Sequence, residues 1–176
     1  GSADYTVAEI DESDQTQELA RPDVAVITNI EADHLDQYGD LASVEASFVR
    51  FVDGLDKRWV IGAKHDGVLD RVVRHVQPPN FYTFGFDGSA DFYAENISMG
   101  GLESRFDTMF KGNKIGEAKL GIPGKHNIAN ALAGIAAMHA LGVGMDDVLK
   151  ALPFFKGVRR RLEVVIDDGD LLVVDD

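Results

Sequence analysis

The fold class is indicated by the stretch Val24-Ala25-Val26-Ile27-Thr28-Asn29-Ile30-Glu31-Ala32-Asp33-His34-Leu35-Asp36-Gln37-Tyr38. It begins as an apolar run and ends in side chains that can bind a cation. An apolar run without polar alternation is typical of a strand buried on both faces, as in a parallel sheet. Such sheets bind ligands just beyond the carboxyl ends of their strands. The sequence therefore predicts that this stretch delivers polar groups to a binding site.

The polar groups at the end of this stretch are Glu31, Asp33, His34 and Asp36. Three carboxylates beside an imidazole repel one another unless a cation lies among them, which favours a divalent metal site. The alternative is a solvated acidic loop, since such loops are common in acidic chains.

A second acidic cluster, Asp11-Glu12-Ser13-Asp14, follows residues 5–10, a stretch whose sequence predicts a strand. Two strands that are close in sequence and that both end in carboxylates predict neighbouring parallel strands. The short link at residues 15–23 leaves little room for a crossover helix, so the alternative is that the two strands are not adjacent.

The following segments alternate between helical and strand patterns. Apolar residues recur at helical spacing over residues 44–55 and again over 68–76, where Asp66 is a plausible helix cap. Short strands are predicted at residues 59–61 and 81–86. This alternation predicts an α/β fold with a mostly parallel sheet flanked by helices.

The pattern changes at about residue 90. Three strands, at residues 92–97, 104–110 and 114–120, predict a small antiparallel β insert over about 90–124 that covers one edge of the main sheet. Helices are predicted at 128–141 and 145–152, and strands at 162–166 and 171–174.

Composition narrows the classes of function. The chain has 176 residues, 45% hydrophobic content, a net charge of −13 and no cysteine. Its charge argues against nucleic-acid binding, because phosphate backbones would be repelled. No apolar stretch reaches the length of a membrane span, and the absence of cysteine excludes disulfides, so we expect a cytoplasmic protein.

Three polar groups in the second half of the chain are candidates for binding a nucleotide or phosphate. Lys125 follows Gly124, but the surrounding residues do not match a Walker A loop. Asn127 and Asn130 share a helix face and suit the edge of an adenine base, although the simpler alternative is that Asn127 caps the helix and Asn130 only packs. The run Arg159-Arg160-Arg161 can grip phosphate or remain solvated beside the chain's many carboxylates.

Four motifs in order resemble the Mur ligase family of peptidoglycan synthesis. They are Ala8-Glu9-Ile10-Asp11-Glu12-Ser13-Asp14, Thr28-Asn29-Ile30-Glu31-Ala32-Asp33-His34-Leu35-Asp36, Gly124-Lys125-His126-Asn127-Ile128-Ala129-Asn130-Ala131 and Arg160-Arg161-Leu162-Glu163. Within the family, the first two motifs are most similar to the branch that adds L-alanine to UDP-N-acetylmuramate.

The resemblance implies an ATP-dependent ligase that uses Mg²⁺ and an acyl-phosphate intermediate. By residue matching, it implies that Glu9 and His34 are magnesium ligands, that Asn127 and Asn130 lie at the adenine, that Arg161 reaches the ATP phosphates and that Asp176 contacts the nucleotide. The resemblance thus implies catalytic roles for Glu9, His34 and Arg161.

The chain also departs from the family pattern, which includes a Walker A loop and a UDP-binding domain before the Glu9 motif. We expect Gly1-Ser2 to be a cloning scar, residues 3–161 to be part of the central ATP-binding domain, and residues 162–176 to begin the junction to a third domain. We therefore expect the chain alone to be inactive, to bind ATP weakly and to self-associate through an uncovered sheet edge.

Three alternatives remain open from the sequence. The first is the related ligase that reattaches a recycled tripeptide to UDP-muramic acid. The second is a non-catalytic nucleotide- or metal-binding module. The third is a metal-dependent hydrolase built on Asp33, His34 and Asp36.

Overall fold

The computed structural model describes residues 5–158, 163–167 and 172–175. The strands are β1 Val24–Ile27, β2 Trp59–Ala63, β3 Asn80–Gly85, β4 Phe92–Gly100, β5 Glu103–Phe110, β6 Asn113–Leu120, β7 Glu163–Asp167 and β8 Leu172–Asp175. The α-helices are α1 Leu35–Tyr38, α2 Leu41–Asp53, α3 Gly67–Val76, α4 Lys125–Ala140 and α5 Met145–Ala151. Short 3₁₀ helices span Thr16–Leu19 and Leu152–Phe154.

Strands β1 to β6 form one mixed sheet in sequence order, and β7 and β8 form a separate antiparallel pair. This confirms the predicted α/β class with parallel and antiparallel parts. The chain divides into two compact units, Gly1–Thr83 and Phe84–Asp176, which we call the N-terminal unit and the C-terminal unit. None of the helices in the described part of the chain has the length and apolarity to cross a bilayer.

In the N-terminal unit, helices α2 and α3 pack on β1 and β2, which are parallel with Val24 opposite Trp59. The two predicted helical stripes form the helix side of this core. The buried residues of the core are Ala25, Ile27, Ile30, Tyr38, Val44, Phe48, Phe51, Val52, Leu55, Val60, Leu69 and Val72. Burying such side chains contributes about 1.5–3 kcal/mol each, so packing rather than local propensity fixes these helices.

Two predictions for the start of the chain were wrong: a strand at residues 5–10, and burial of β1 on both faces. Residues 5–10 form no strand and all six are exposed, so they cannot be the neighbour of β1. A strand exists only where a second strand satisfies its backbone groups, and none of the described residues does so here. In β1 itself only Ala25 and Ile27 are buried while Val26 is 43% exposed, because α2 and α3 cover only one face of this outer strand.

The C-terminal unit contains the predicted antiparallel segment. Strand β4 pairs with β5 and β5 with β6, both antiparallel. The expectation that this segment covers a sheet edge was wrong, because Phe84 of β3 pairs in parallel with Phe92 of β4. The segment therefore continues the sheet.

Helix α4 is buried along one face rather than all round, although its composition is apolar on nearly every side. Ile128, Leu132, Ile135 and Ala136 are each 0% exposed. The helix begins at Lys125, three residues before the predicted start, with Gly124 as its cap at φ 108°. Glycine tolerates this positive φ because it has no Cβ.

Candidate functional site

The loop that follows β1 is held at its centre by Ile30 and Asp66. The Ile30 side chain is 4% exposed, and its backbone N–H donates to Asp66 Oδ2 at 2.6 Å. The other oxygen of the same carboxylate, Oδ1, accepts from Val68 N at 3.0 Å and Leu69 N at 2.9 Å. Asp66 is thus the predicted cap of α3 and also a clamp on the loop, a second role that the sequence did not reveal.

At the end of this loop, His34 lies beside two carboxylates of the earlier acidic cluster. Its Nε2 is 3.9 Å from Glu12 Oε1, and ligand atoms of Asp11, Glu12 and His34 all lie within 4.8 Å of one another. We call these three residues the acid–imidazole cluster. Among the described residues, it is the one group of three or more that could hold a metal ion.

The backbone of His34 is in the left-handed region, with φ 52°. Its carbonyl accepts from Gln37 N at 2.9 Å and Tyr38 N at 3.1 Å, and its own N–H donates to Asp33 Oδ1 at 2.8 Å. A non-glycine residue in this region costs about 1–3 kcal/mol and persists only where its surroundings hold it. The imidazole is therefore presented by a strained residue at the start of α1.

The turn that carries Asp11 and Glu12 is ordered by its own hydrogen bonds. Ser13 N donates to Asp11 Oδ1 at 2.8 Å, and Gln15 N donates to Glu12 O at 3.0 Å. The hydrogen bond from the Ser13 backbone, then that from its hydroxyl, lowers the pKa of Asp11, and nearby His34 acts in the same direction. The carboxylate form, which binds metal, is therefore the favoured form.

A buried polar network joins this turn to the helices. The Tyr38 hydroxyl donates to Glu12 O at 2.6 Å and accepts from Gln17 Nε2 at 3.0 Å. Gln17 Nε2 also donates to Ser47 Oγ at 2.9 Å. Ser47 Oγ donates to Glu18 Oε1 at 2.5 Å, and Arg50 contacts the same carboxylate at 2.7 Å.

Sequence reasoning missed this network, which lies behind the site rather than among its ligands. Tyr38 lies one helical turn after His34, and that spacing is a usable signal. Gln17 and Ser47 carry no such signal, because they are 30 residues apart in sequence and meet only after the turn docks on α2.

A cleft of about 140 Å³ lies against the cluster. Its lining residues are Glu12, Thr28, Asn29, Ile30, Glu31, Asp33, Val44 and Phe48. A single water needs about 10–15 Å³ by the same measure, so the cleft has room for several waters beside Glu12.

The predicted ligands are only partly brought together. Asp33 Oδ2 is 4.0 Å from His34 Nε2, whereas Glu31 accepts from Asn29 Nδ2 at 3.0 Å. Asp36 and Glu9 are exposed, and neither belongs to the acid–imidazole cluster. The structure places Asp11 and Glu12 against His34, and the role of Glu9 as a metal ligand stays a prediction.

The predicted nucleotide residues lie in the C-terminal unit. Asn127 is inside α4 rather than at its cap, so the capping alternative was wrong, and its Nδ2 donates to Pro123 O at 2.6 Å. Asn130 is exposed, one turn further along the helix. The Lys125 ammonium lies 4.5 Å from the centre of the Phe86 ring. Arg161, with Arg159 and Arg160, and Asp176 lie outside the described residues.

Comparisons with known proteins give one consistent result. Residues 1–138 match the family model described as the Mur ligase middle domain. The chain is 40% identical over 180 aligned positions to UDP-N-acetylmuramate–L-alanine ligase from Dictyoglomus turgidum, covering 100% of this chain and 38% of that protein. The chain thus spans well under half the length of the curated relatives it matches.

Two solved structures agree with this match. The UDP-N-acetylmuramate-alanine ligase MurC from Thermotoga maritima is similar with a TM-score of 0.82 and 30% identity, covering 94% of this chain and 37% of that one. A second similar structure is the UDP-N-acetylmuramate:L-alanyl-gamma-D-glutamyl-meso-diaminopimelate ligase from Neisseria meningitidis. Its TM-score is 0.71 and its identity 28%, and the match covers 82% of this chain and 43% of that one.

Proposed function

The chain belongs to the Mur ligase family as its middle domain, and on that premise we propose that the protein carrying it joins L-alanine to UDP-N-acetylmuramate at the expense of ATP. The observation that carries this proposal is the 40% identity, along the whole chain, to a ligase of that name. Because the chain covers 38% of that relative, the proposal concerns the whole protein rather than these residues alone.

Mg²⁺ is the cation that we propose for the acid–imidazole cluster. The donor set fits a hard cation that keeps several waters, because Mg²⁺ is usually bound by one or two carboxylates together with substrate phosphates. The cluster offers the carboxylates of Asp11 and Glu12, with Asp11 exposed and Glu12 partly so, and the adjoining cleft admits water. A bound Mg²⁺ offsets the charge of the phosphate oxygens during phosphoryl transfer.

For the nucleotide, we propose that Asn127 and Asn130 lie at the adenine edge, that Arg161 reaches the phosphates, and that Asp176 contacts the nucleotide. One N–H of the Asn127 amide is engaged with Pro123 O, which fixes the orientation of the side chain. That orientation supports a recognition role, since a pre-oriented amide loses little freedom on binding. We also propose Glu9 as a ligand of the magnesium ion.

The proposed reaction has two steps. A carboxylate oxygen of UDP-N-acetylmuramate attacks the γ-phosphorus of ATP, the bond to the bridging oxygen breaks, and ADP leaves with the acyl phosphate formed. The L-alanine amine then attacks the acyl carbon, the amide bond forms, the amine loses a proton and phosphate leaves. The substrates are anionic, so the protein's role is to position them and to offset repulsion.

The decisive experiment measures ADP release by the whole protein with ATP, Mg²⁺, UDP-N-acetylmuramate and L-alanine. We expect turnover that requires all four and that falls by about 10²-fold or more in His34→Ala. A whole protein that is folded but that releases no ADP above a blank would refute the proposal. The expectation that the 176 residues alone do not ligate stays a prediction, checked in the same assay.

The tripeptide-recycling ligase is the second candidate, supported by the similarity to the Neisseria meningitidis structure. The higher TM-score and identity of the L-alanine ligase structure favour the first candidate. Competition between L-alanine and the tripeptide for acyl transfer separates the two. For either candidate, we propose a bacterial cytoplasmic location, on the basis of bacterial relatives named as ligases of UDP-N-acetylmuramate.

A further inference from the structure

We propose that Tyr38 is a positioning residue, whose hydroxyl holds the Asp11–Glu12 turn against His34. The inference rests on the proposed metal-binding function of the acid–imidazole cluster and adds to it the group that sets the cluster's geometry. Tyr38 does not belong to the cluster, so it acts through the two segments that it joins.

The two halves of the cluster come from separate parts of the chain, and Tyr38 connects them. His34 is the N-terminal cap of α1, and Tyr38 is the last residue of that four-residue helix. The Tyr38 hydroxyl bonds to the carbonyl of Glu12, which is 26 residues away in sequence. A single hydroxyl therefore couples the helix that carries the imidazole to the turn that carries the carboxylates.

The direction of this bond is set by Gln17. The amide of Gln17 can only donate through Nε2, and it donates to the Tyr38 oxygen. The hydroxyl proton is then left to donate, and Glu12 O lies 2.6 Å away to accept it. Since Tyr38 is 7% exposed and Gln17 is 4% exposed, water competes little for either bond.

The network includes a buried acceptor atom that lowers the stability of the fold, so a purely stabilising role does not explain it. Gln17 Oε1 is buried and, within the described structure, has no hydrogen-bond partner. An apolar side chain at residue 17 would avoid that cost but could not orient the Tyr38 hydroxyl. The retained amide is therefore consistent with a requirement to place the Glu12 turn.

The test compares Tyr38→Phe with Ser47→Ala in the 176-residue chain. Tyr38→Phe removes only the hydroxyl that bonds to Glu12. Ser47→Ala removes a different member of the same buried network and leaves the Tyr38–Glu12 bond in place. The matched pair therefore separates positioning of the turn from general loss of a buried hydrogen bond.

The probe is Mn²⁺, with its affinity measured by electron paramagnetic resonance. We expect Tyr38→Phe to weaken Mn²⁺ binding about 10-fold or more, as is typical when a group that orients metal ligands is lost, and Ser47→Ala to bind within about 3-fold of wild type. Equal affinity in wild type and Tyr38→Phe, or equal losses in both variants, would overturn the inference.

A metal-free readout keeps the inference separate from the proposed function. In wild type and Ser47→Ala we expect a nuclear Overhauser contact between the His34 ring and the Glu12 side chain, whose Nε2 and Oε1 atoms are 3.9 Å apart. We expect Tyr38→Phe to lose this contact. If wild type binds no Mn²⁺, the metal site fails, and persistence of the contact in Tyr38→Phe overturns the inference independently.

Discussion

The two units fix their candidate ligands in different ways. In the N-terminal unit, His34 and Glu12 are held by side-chain hydrogen bonds between segments 20–40 residues apart, through Gln17, Tyr38 and Asp66. In the C-terminal unit, Asn127 and Asn130 lie on a regular helix whose inner face is buried. The first arrangement depends on individual polar atoms, whereas the second depends on apolar packing.

This difference teaches where each region is vulnerable. A buried polar network stabilises one geometry only when its members are present together, so single-atom changes should affect the N-terminal unit. A helix on a packed sheet tolerates polar changes at its surface, but it loses stability when core volume is removed.

The largest expected effect is a core truncation in the C-terminal unit. Phe106, on β5, is 1% exposed, and Phe106→Ala should lower the free energy of unfolding by about 3–5 kcal/mol because it leaves a cavity. Urea denaturation measures this change. Phe154→Ala is the matched control, since Phe154 is 81% exposed and should cost less than about 0.5 kcal/mol. Similar losses in both variants would contradict the dependence of the C-terminal unit on core packing.

The next effect concerns the Asp66 clamp in the N-terminal unit. Asp66→Ala removes the α3 cap and the acceptor for Ile30 N, so it should cost about 2–3 kcal/mol. Asp66→Asn keeps an oxygen for the helix but turns an amide nitrogen towards Ile30 N, so it should cost about 1–2 kcal/mol.

The control for the clamp is Asp40→Ala, which removes only a cap, the bond from Ser43 N to Asp40 Oδ1. Hydrogen exchange of the Ile30 amide should accelerate in both Asp66 variants and stay at the wild-type rate in Asp40→Ala. An unchanged Ile30 rate in Asp66→Asn would show that the clamp does not hold the loop.

The contrast between apolar packing and individual polar contacts also explains which features the sequence could predict. The helices α2, α3 and α4 and the strands β2 to β6 follow from apolar periodicity and turn residues, because each pattern reports burial against an adjacent layer. The strand expected at residues 5–10 was wrong, since composition describes strand propensity and not the presence of a pairing partner.

The site was predicted less completely for a related reason. Motif residues such as His34 were identified by resemblance, and the acidic turn was recognised as a charge cluster. The contact that brings Glu12 to His34 is made by Tyr38 and oriented by Gln17, whose identity carries no periodic signal. Such long-range polar contacts exist only after the fold has formed.

A smaller effect is the contribution of Glu18 to the pH dependence of the free energy of unfolding. Hydrogen bonding from Arg50, and then from Ser47, lowers the pKa of Glu18 from its usual 4.5. Because the folded pKa is the lower one, the stabilisation is complete above about pH 4.5 and is lost as pH falls through the folded pKa. Arg50 is 54% exposed, so the contribution should be about 0.5–1 kcal/mol.

Unfolding free energies of wild type and Glu18→Gln, measured across this pH range, check this effect. The two curves should differ most at neutral pH and converge in acid. Glu117→Gln, which removes an exposed carboxylate in the C-terminal unit, should run parallel to wild type. A Glu18→Gln curve that stays parallel to wild type in acid would mean that the ion pair does not couple to folding.

The smallest expected effect tests whether the left-handed backbone of His34 belongs to the site or is common at the ends of helices. Gln77 ends α3 with φ 53°, and its N–H donates to Val73 O. Gln77→Gly keeps that bond and relieves the left-handed strain, so it should raise the free energy of unfolding by about 0.5–1 kcal/mol. Gln77→Ala retains a Cβ and should give no gain. If urea denaturation shows this gain in Gln77→Gly, the left-handed backbone at His34 carries a similar cost, which glycine would remove. The imidazole at that position is then kept at the expense of stability.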